Sequence, residues 1–288
     1  MSGRAAFLGL GVMGGPMAGH LAAAGFDLAV YNRTAAKAAA FVEKHPSARA
    51  AATPADAVDG ADVVLACLGA DPDVEAVAAE ALPAMTKGAV FVDHTTASPA
   101  LARRLAEDAA ARGLGFVDAP VSGGEAGAVN GRLSIMCGGE AAHLDAARPV
   151  MEAYAARIVH IGPAGAGQLC KAVNQICIAG LLQALSEGVA FASAAGLDID
   201  KVLEAISGGA AQSWQMENRA KTMAAGEFDF GFAVDWMRKD LRIALNEARE
   251  LGVSAPVTAL VDQFYADVQV MGGGRQDTSS LVRRLTRR

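Results

Sequence analysis

The sequence predicts an α/β N-terminal half, a doubly wound and mostly parallel sheet, joined by one long helix to an all-helical C-terminal half. Three observations predict it. Short apolar runs alternate with Ala-rich helical stretches up to Ile161, a glycine-rich turn directly follows the first run, and the strand signal stops after Gly162-Pro163-Ala164-Gly165. Alternation of this kind builds βα units, with helices on both faces of the sheet.

In chain order, Ala5–Leu10, Asp27–Tyr31, Asp62–Leu68, Ala89–Asp93 and Gly115–Asp118 read as buried strands. Met13–Ala24, Ala35–Lys44, Pro72–Ala84 and Pro99–Arg112 between them have helical length and pattern. Asp71-Pro72 and Ser98-Pro99 each predict an N-cap followed by proline at the first helical position, and Thr53-Pro54 repeats that signal ahead of a short helical turn. Leu133–Cys137 and Ile158–Ile161 are two further strands that extend the sheet. One helical pattern then runs from Gln168 to about Ala195, on the order of 40 Å at 1.5 Å per residue. Helices are expected over Ile199–Ile206, Ser213–Ala225, Met237–Leu251 and Pro256–Met271, with no strand among them. The expected division is 1–164 and 165–288, with the long helix as the seam.

A length of 288 residues fits roughly two domains. With 52% hydrophobic and 19% charged residues, composition gives no case for disorder. The net charge of -6 excludes a general nucleic-acid binder, which needs a basic face. It leaves room for a small anionic ligand, which a helix N-terminus and one or two local cations can hold. The most apolar stretch, Ile176–Leu185, carries Gln183 and falls well short of the roughly 20 residues a spanning helix needs, so no membrane partner is expected. Met1–Leu10 reads as a strand and not as a signal peptide. Cys67, Cys137, Cys170 and Cys177 lack CxxC pairing and sit in apolar runs, which reads as reduced core cysteines of a cytoplasmic protein, without metal. Arg283, Arg284, Arg287 and Arg288 have two readings, a partner patch or a solvated helix end.

Gly9-Leu10-Gly11-Val12-Met13-Gly14 is a G-x-G-x-x-G turn between a predicted strand and a predicted helix. The first glycine makes the turn, the second admits a pyrophosphate to the backbone, and the third lets helix pack on strand. The helix N-terminus adds free N–H groups and partial positive charge. This predicts a Rossmann-type dinucleotide site. The second strand ends in Asn32-Arg33-Thr34 where NAD-binding sheets carry an acid. A carboxylate repels a 2′-phosphate, whereas Arg33 can pair with it and Asn32 and Thr34 can donate to it, so NADP is expected ahead of NAD. The alternative is that Arg33 is a plain surface residue.

The chemistry has to be argued from other residues. None of Tyr31, Tyr154 and Tyr265 has a lysine four positions later, which sets aside a Tyr-x-x-x-Lys pair. Of the five histidines only His94 falls near a strand's C-terminal end, and it is a minor candidate. Lys171, Asn174 and Gln175 stand at i, i+3 and i+4, one polar ridge on an otherwise apolar helix. A lysine desolvated there can exchange a proton with a substrate oxygen held by a neighbouring amide. An exposed lysine on a helix edge is the other reading. Asp118-Ala119-Pro120-Val121-Ser122-Gly123-Gly124 ends a predicted strand with a serine and two glycines, either a carboxylate-binding turn or merely a tight turn.

These motifs together resemble the β-hydroxyacid dehydrogenases, the family of 3-hydroxyisobutyrate dehydrogenase, tartronate semialdehyde reductase and the glyoxylate/succinic semialdehyde reductases. The resemblance covers essentially the whole chain. It rests on Phe7–Met17, on Asp118–Gly124, on Gly165–Gln175 and on Lys239-Asp240-Leu241. It implies that Lys171 is the general acid/base, that Ser122, Gly123 and Gly124 hold a substrate carboxylate, and that Asn174 and Gln175 position the reacting oxygen. It implies too that Thr96 and Lys239 lie against the cofactor and that the protein is a homodimer or homotetramer. The implied chemistry is hydride transfer between a 3-hydroxy acid and its semialdehyde, or reduction of a short 2-oxo acid. Many members carry Asn-Asn where this chain has Asn174-Gln175. The segment Ser213–Arg219 fits none of the named members closely, and Trp214 is either a pocket wall or a core residue. Imine reductases share the architecture but replace the lysine, so Lys171 argues against that alternative. The intact ridge likewise argues against a non-catalytic dinucleotide-binding protein.

Overall fold

A computed structural model of the chain describes residues 3–285. Contacts divide it into two compact units, Met1–Lys171 and Ala172–Arg288, a division that falls within the long helix.

The N-terminal unit opens with β1 (Arg4–Leu8), α1 (Gly14–Ala23), β2 (Asp27–Tyr31), α2 (Ala35–Lys44), β3 (Arg49–Ala50) and α3 (Pro54–Val58). It continues with β4 (Val63–Ala66), α4 (Asp71–Ala81), β5 (Val90–Asp93), α5 (Pro99–Ala110) and β6 (Gly115–Asp118). The remainder is β7 (Val121–Ser122), α6 (Gly124–Val129), β8 (Leu133–Gly139), α7 (Ala141–Met151) and β9 (Ala155–Gly162). The strand order is β3-β2-β1-β4-β5-β6-β8-β7, with β9 on β8. Pairing is parallel through β6, and β8 then runs antiparallel to β6 and β7. The direction of winding reverses beside β1, which opens a crevice at the carboxyl ends of the strands. Register aligns those ends, pairing Leu8 with Tyr31 and with Ala66, Ala66 with Asp93, and Asp93 with Asp118. The glycine turn starts from Leu8 and the Asn32–Thr34 segment from Tyr31.

The central strands β1, β4, β5 and β6 are largely apolar because both their faces are covered, whereas β3 and β9 at the margins are mostly exposed. Phe7, Leu65, Val92 and Val117 point into one core, while Leu8, Val64, Phe91 and Phe116 point into the other. Burial of each large side chain contributes about 1.5–3 kcal/mol.

Ser98 caps α5 by accepting Leu101 N–H at 3.1 Å, and Thr53 caps α3 by accepting Asp56 N–H at 3.1 Å, both as predicted. Asp71 does not cap. It is the first residue of α4, after Ala70, and its carboxylate accepts Ser98 N–H at 3.0 Å instead. The two-residue strands β3 and β7 are too short to show a period, and α6 and α7 are helices beyond those predicted.

The long helix α8 (Ala166–Ala194) begins in the first unit and continues through the second. There follow α9 (Ile199–Ile206), α10 (Trp214–Ala225), α11 (Val234–Glu250), α12 (Pro256–Val270) and a 3-10 segment, Thr278–Arg284. Ala179 and Leu182 of α8, Val234, Met237 and Leu241 of α11, and Val261, Tyr265 and Val268 of α12 share one core. At 29 residues and a mean hydropathy of 1.5 over its most apolar window, α8 meets the length and composition of a membrane-spanning helix. Judging Ile176–Leu185 alone missed that. Buried Gln168, Lys171, Gln175, Gln183 and Ser186 make it the pattern of a helix packed within protein, because polar groups facing lipid are costly.

Two expectations about surfaces change. Only Cys137 is a buried cysteine, and Cys177 is exposed. Arg283 is tied to Gln276 and Met271, and Arg284 to Asp267 and the Phe264 ring, so neither is a free patch nor a solvated end. Arg287 and Arg288 lie outside the described residues.

Candidate active site

The three motif glycines do different jobs. Gly9 has φ +100°, and a Cβ there would strike the Cys67 carbonyl. A Cβ on Gly14 would strike the Gly9 carbonyl. A Cβ on Gly11 would meet no atom within 4 Å. Packing therefore explains glycine at 9 and 14, whereas at 11 the bare backbone faces open space, as the approach of a pyrophosphate requires. Met13 caps α1 without a side-chain hydrogen bond, and the first turn holds no acid. Val12 is exposed, and Leu10 anchors the turn with a buried side chain. These residues fit a dinucleotide.

At the end of β2, Leu10 N–H donates to Asn32 Oδ1 at 3.0 Å, and Asn32 Nδ2 donates to the Thr34 carbonyl at 3.1 Å. Asn32, read from sequence as a donor to ligand, is first a brace between the glycine turn and β2. The Thr34 side chain makes no cap bond to α2. The Arg33 side chain is 86% exposed, and its Nη1 donates to Asp73 Oδ1, in the first turn of α4, at 2.8 Å. The sequence reading missed this carboxylate, which lies 40 positions away.

The adjoining edge is held by buried polar contacts. His94 Nδ1 lies 2.7 Å from the Ala119 carbonyl and Nε2 lies 2.8 Å from the Tyr154 hydroxyl. A carbonyl only accepts, so Nδ1 carries the proton and Nε2 accepts from Tyr154. Burial pushes the His94 pKa down to about 4 and that of Tyr154 well up. His94, the minor acid–base candidate, is therefore a neutral, satisfied core imidazole. Thr95 Oγ1 accepts Leu68 N–H at 2.9 Å, and the next residue, Thr96, is half-buried.

Asp118 and Gln168 fix the start of α8. Asp118 Oδ1 accepts Gly165 N–H at 2.8 Å and Oδ2 accepts Gln168 N–H at 2.9 Å. The Gln168 amide accepts Ala97 N–H at 3.0 Å and donates to the Thr95 carbonyl at 2.8 Å. The helix comes so close that a Cβ on Gly138 or Gly167 would run into backbone. Lys171 follows one turn after Gly167 and Gln168 and is 8% exposed, so the exposed-edge reading of this lysine is discarded. Ser122 pairs with Ser134 across β7 and β8, and Gly123 and Gly124 have φ of +127° and +61°, which strains any other residue.

Within the C-terminal unit, the buried Gln175 amide donates to Asp240 Oδ2 at 2.7 Å and accepts from Asn174 Nδ2 at 2.7 Å. Gln175 thus supports Asn174 from behind. Lys239 Nζ lies 3.1 Å from Asp240 Oδ1, an ion pair without hydrogen-bond alignment. Asp240 was part of a recognised motif, but its partnership with Gln175 spans 65 positions and left no sequence signal. Trp214 is 52% exposed, which rules out a core role, and Arg219 stacks on its ring at 5.0 Å.

Residues 4–162 match the family model described as the NAD binding domain of 6-phosphogluconate dehydrogenase. Residues 165–285 match that described as the NAD-binding domain of NADP-dependent 3-hydroxyisobutyrate dehydrogenase. The chain belongs to the β-hydroxyacid dehydrogenase family. A probable 3-hydroxyisobutyrate dehydrogenase-like protein of Arabidopsis thaliana is 38% identical, over 98% of this chain and 84% of its own. The 2-hydroxy-3-oxopropionate reductase of Escherichia coli is 36% identical, over 97% and 96%. The solved 3-hydroxyisobutyrate dehydrogenase of Mycobacterium tuberculosis superposes with a TM-score of 0.90 at 30% identity, covering 99% of both chains. This β-hydroxyacid dehydrogenase is accordingly an NAD(P)-dependent oxidoreductase acting on hydroxy acids.

Proposed function

We propose that this enzyme oxidises or regenerates a short β-hydroxy acid, exchanging it with its semialdehyde, or reduces a 2-oxo acid of the glyoxylate type, with NADP(H) preferred over NAD(H). The observation that carries the reading is Lys171. It is a buried amine on a helix whose first turn Asp118 and Gln168 lock to the carboxyl edge of the sheet.

When bound, the nicotinamide would supply hydride to the carbonyl carbon or accept it from the carbinol carbon. In the reducing direction Lys171 gives its proton to the substrate oxygen, and in the oxidising direction it takes the hydroxyl proton. The Asn174 amide, held by Gln175, orients that oxygen. Ser122 and the turn at Gly123 and Gly124 bind the carboxylate through the hydroxyl and backbone N–H groups. Thr96 and Lys239 are assigned to the cofactor on family resemblance alone. An Arg33 guanidinium exposed to solvent and an uncommitted Thr34 cap position support recognition of a 2′-phosphate.

The test pairs Lys171→Ala with a substrate panel of glyoxylate and of succinic, tartronate and methylmalonate semialdehydes, each with NADPH and NADH. The variant is expected to lose about 10²–10⁴-fold in kcat while NADPH affinity holds. Full turnover by Lys171→Ala would remove the lysine from the mechanism.

We also propose a homodimer or homotetramer. Only 33% of the apolar window of α8 is buried, and Val173, Leu181 and Phe191 are exposed along it. Phe191→Glu is expected to shift sedimentation towards monomer. Four cysteines without a disulfide support a cytoplasmic location, and a thiol titration of the protein, denatured without reductant, should count all four.

A further inference from the structure

We infer that Asp73 sets how strongly this enzyme discriminates between its two nicotinamide cofactors, acting as a counter-charge that a 2′-phosphate must displace from Arg33. The inference rests on the reading of Arg33 as the 2′-phosphate ligand.

Three observations lead to it. Arg33 Nη1 and Asp73 Oδ1 are 2.8 Å apart, within one compact unit. Their side chains are 86% and 33% exposed, so the pair lies open to an incoming ligand. Asp73 is fixed at the start of α4, where its own N–H donates to the Ala70 carbonyl at 2.9 Å and the helix dipole favours its charge. The aspartate is thus the less exposed partner, with its backbone held in the first turn of a helix, and the arginine the more exposed one.

A 2′-phosphate carries a charge of about −1.5 to −2 near neutral pH. To pair with Arg33 it has to approach a carboxylate of the same sign, and the guanidinium has to leave that carboxylate or be shared with it. A 2′-hydroxyl meets neither obstacle, since it is neutral and is not repelled by a carboxylate. Asp73 therefore lowers affinity for the phosphorylated cofactor and leaves the other nearly unaffected. The second strand lacks the acid usual in NAD sites, and Asp73 returns a carboxylate to the same neighbourhood from another helix. An exposed pair of this kind contributes little to folding, so its presence needs no stability argument.

The experiment measures NADPH and NADH dissociation constants by nucleotide fluorescence for the wild type, Asp73→Asn, Arg33→Ala and the double variant, at low and high salt. Asp73→Asn is expected to bind NADPH about three- to tenfold more tightly, an effect that shrinks with salt, and to change NADH binding by less than about twofold. In the double variant the gain from Asp73→Asn should be altered, because the two residues are coupled. If Arg33→Ala leaves NADPH affinity unchanged, the reading of Arg33 fails. If Arg33→Ala weakens NADPH but Asp73→Asn leaves it unchanged or weakens it, the counter-charge inference is overturned. Weakening would mean that Asp73 orients Arg33 for the phosphate. Circular dichroism of each variant separates these outcomes from misfolding.

Discussion

Asp118 accepts the backbone N–H of Gln168 at 2.9 Å, which places a buried strand-end carboxylate at the start of the helix that carries Lys171. Burial raises the Asp118 pKa, while the N–H groups of Gly165, Gln168 and Gly167 pull it back. Asp118→Asn puts an NH2 group against one of those N–H donors. It is expected to destabilise the fold by about 1–3 kcal/mol in urea titrations and to lower kcat with little change in NADPH affinity. An unchanged kcat in a folded variant would separate Lys171 placement from this cap.

Stability should fall in mild acid because of His94. Its folded pKa is pushed down to about 4 from 6.5, so the unfolded chain takes up the proton first. The stability that neutral His94 contributes is full above the unfolded pKa and is lost as pH falls towards the folded one, about 3 kcal/mol in all. Asp118 works in the opposite sense, since its raised pKa makes the folded state bind the proton more tightly, and its contribution is lost as pH rises through that value. The unfolding free energy between about pH 7 and about pH 4 should therefore fall more steeply in wild type than in His94→Gln. Equal slopes would move the acid sensitivity elsewhere.

The glycine turn offers a paired comparison. Gly11→Ala should keep or slightly raise the melting temperature, because nothing lies within 4 Å and φ is not positive, yet weaken NADPH by tenfold or more (about 1.4 kcal/mol). Gly14→Ala should lose stability outright through the clash with the Gly9 carbonyl. Tight nucleotide binding by Gly11→Ala would show that the pyrophosphate does not approach there.

Gln175→Leu strips Asp240 Oδ2 of its donor in a site where Asp240 is 2% exposed. A loss of about 1–3 kcal/mol or more is expected, with kcat reduced because Asn174 loses its support. Gln175→Asn keeps the amide and should fall between the two. A Leu variant as stable as wild type would mean that water satisfies Asp240.

Local chemistry was readable in the sequence wherever neighbours in the chain decide the outcome. β2, α2, β6 and α9 begin and end at the predicted residues, and the Ser98 and Thr53 caps are where proline following a hydroxyl residue put them. Lys171, Asn174 and Gln175 were legible because helical spacing gathers them without knowledge of the tertiary fold. Partners across 40 or more positions were not legible, as with Arg33 and Asp73, Asp118 and Gln168, or Gln175 and Asp240. Asp71 shows the cause in miniature: a good capping residue became a brace for Ser98, because a more distant N–H claimed its carboxylate.

The attachment of α8 to the sheet decides where this protein can be recombined with its relatives. A chimera joined at the Gly162–Gly165 loop would import foreign residues at 165, 167 and 168, the very contacts that satisfy Asp118, Ala97 and Thr95 and that tolerate no side chain beside Gly138. A crossover after Lys171 carries the whole set across intact. The interchangeable pieces of this enzyme are therefore not the segments that its loops suggest, because the first turns of the long helix belong to the sheet.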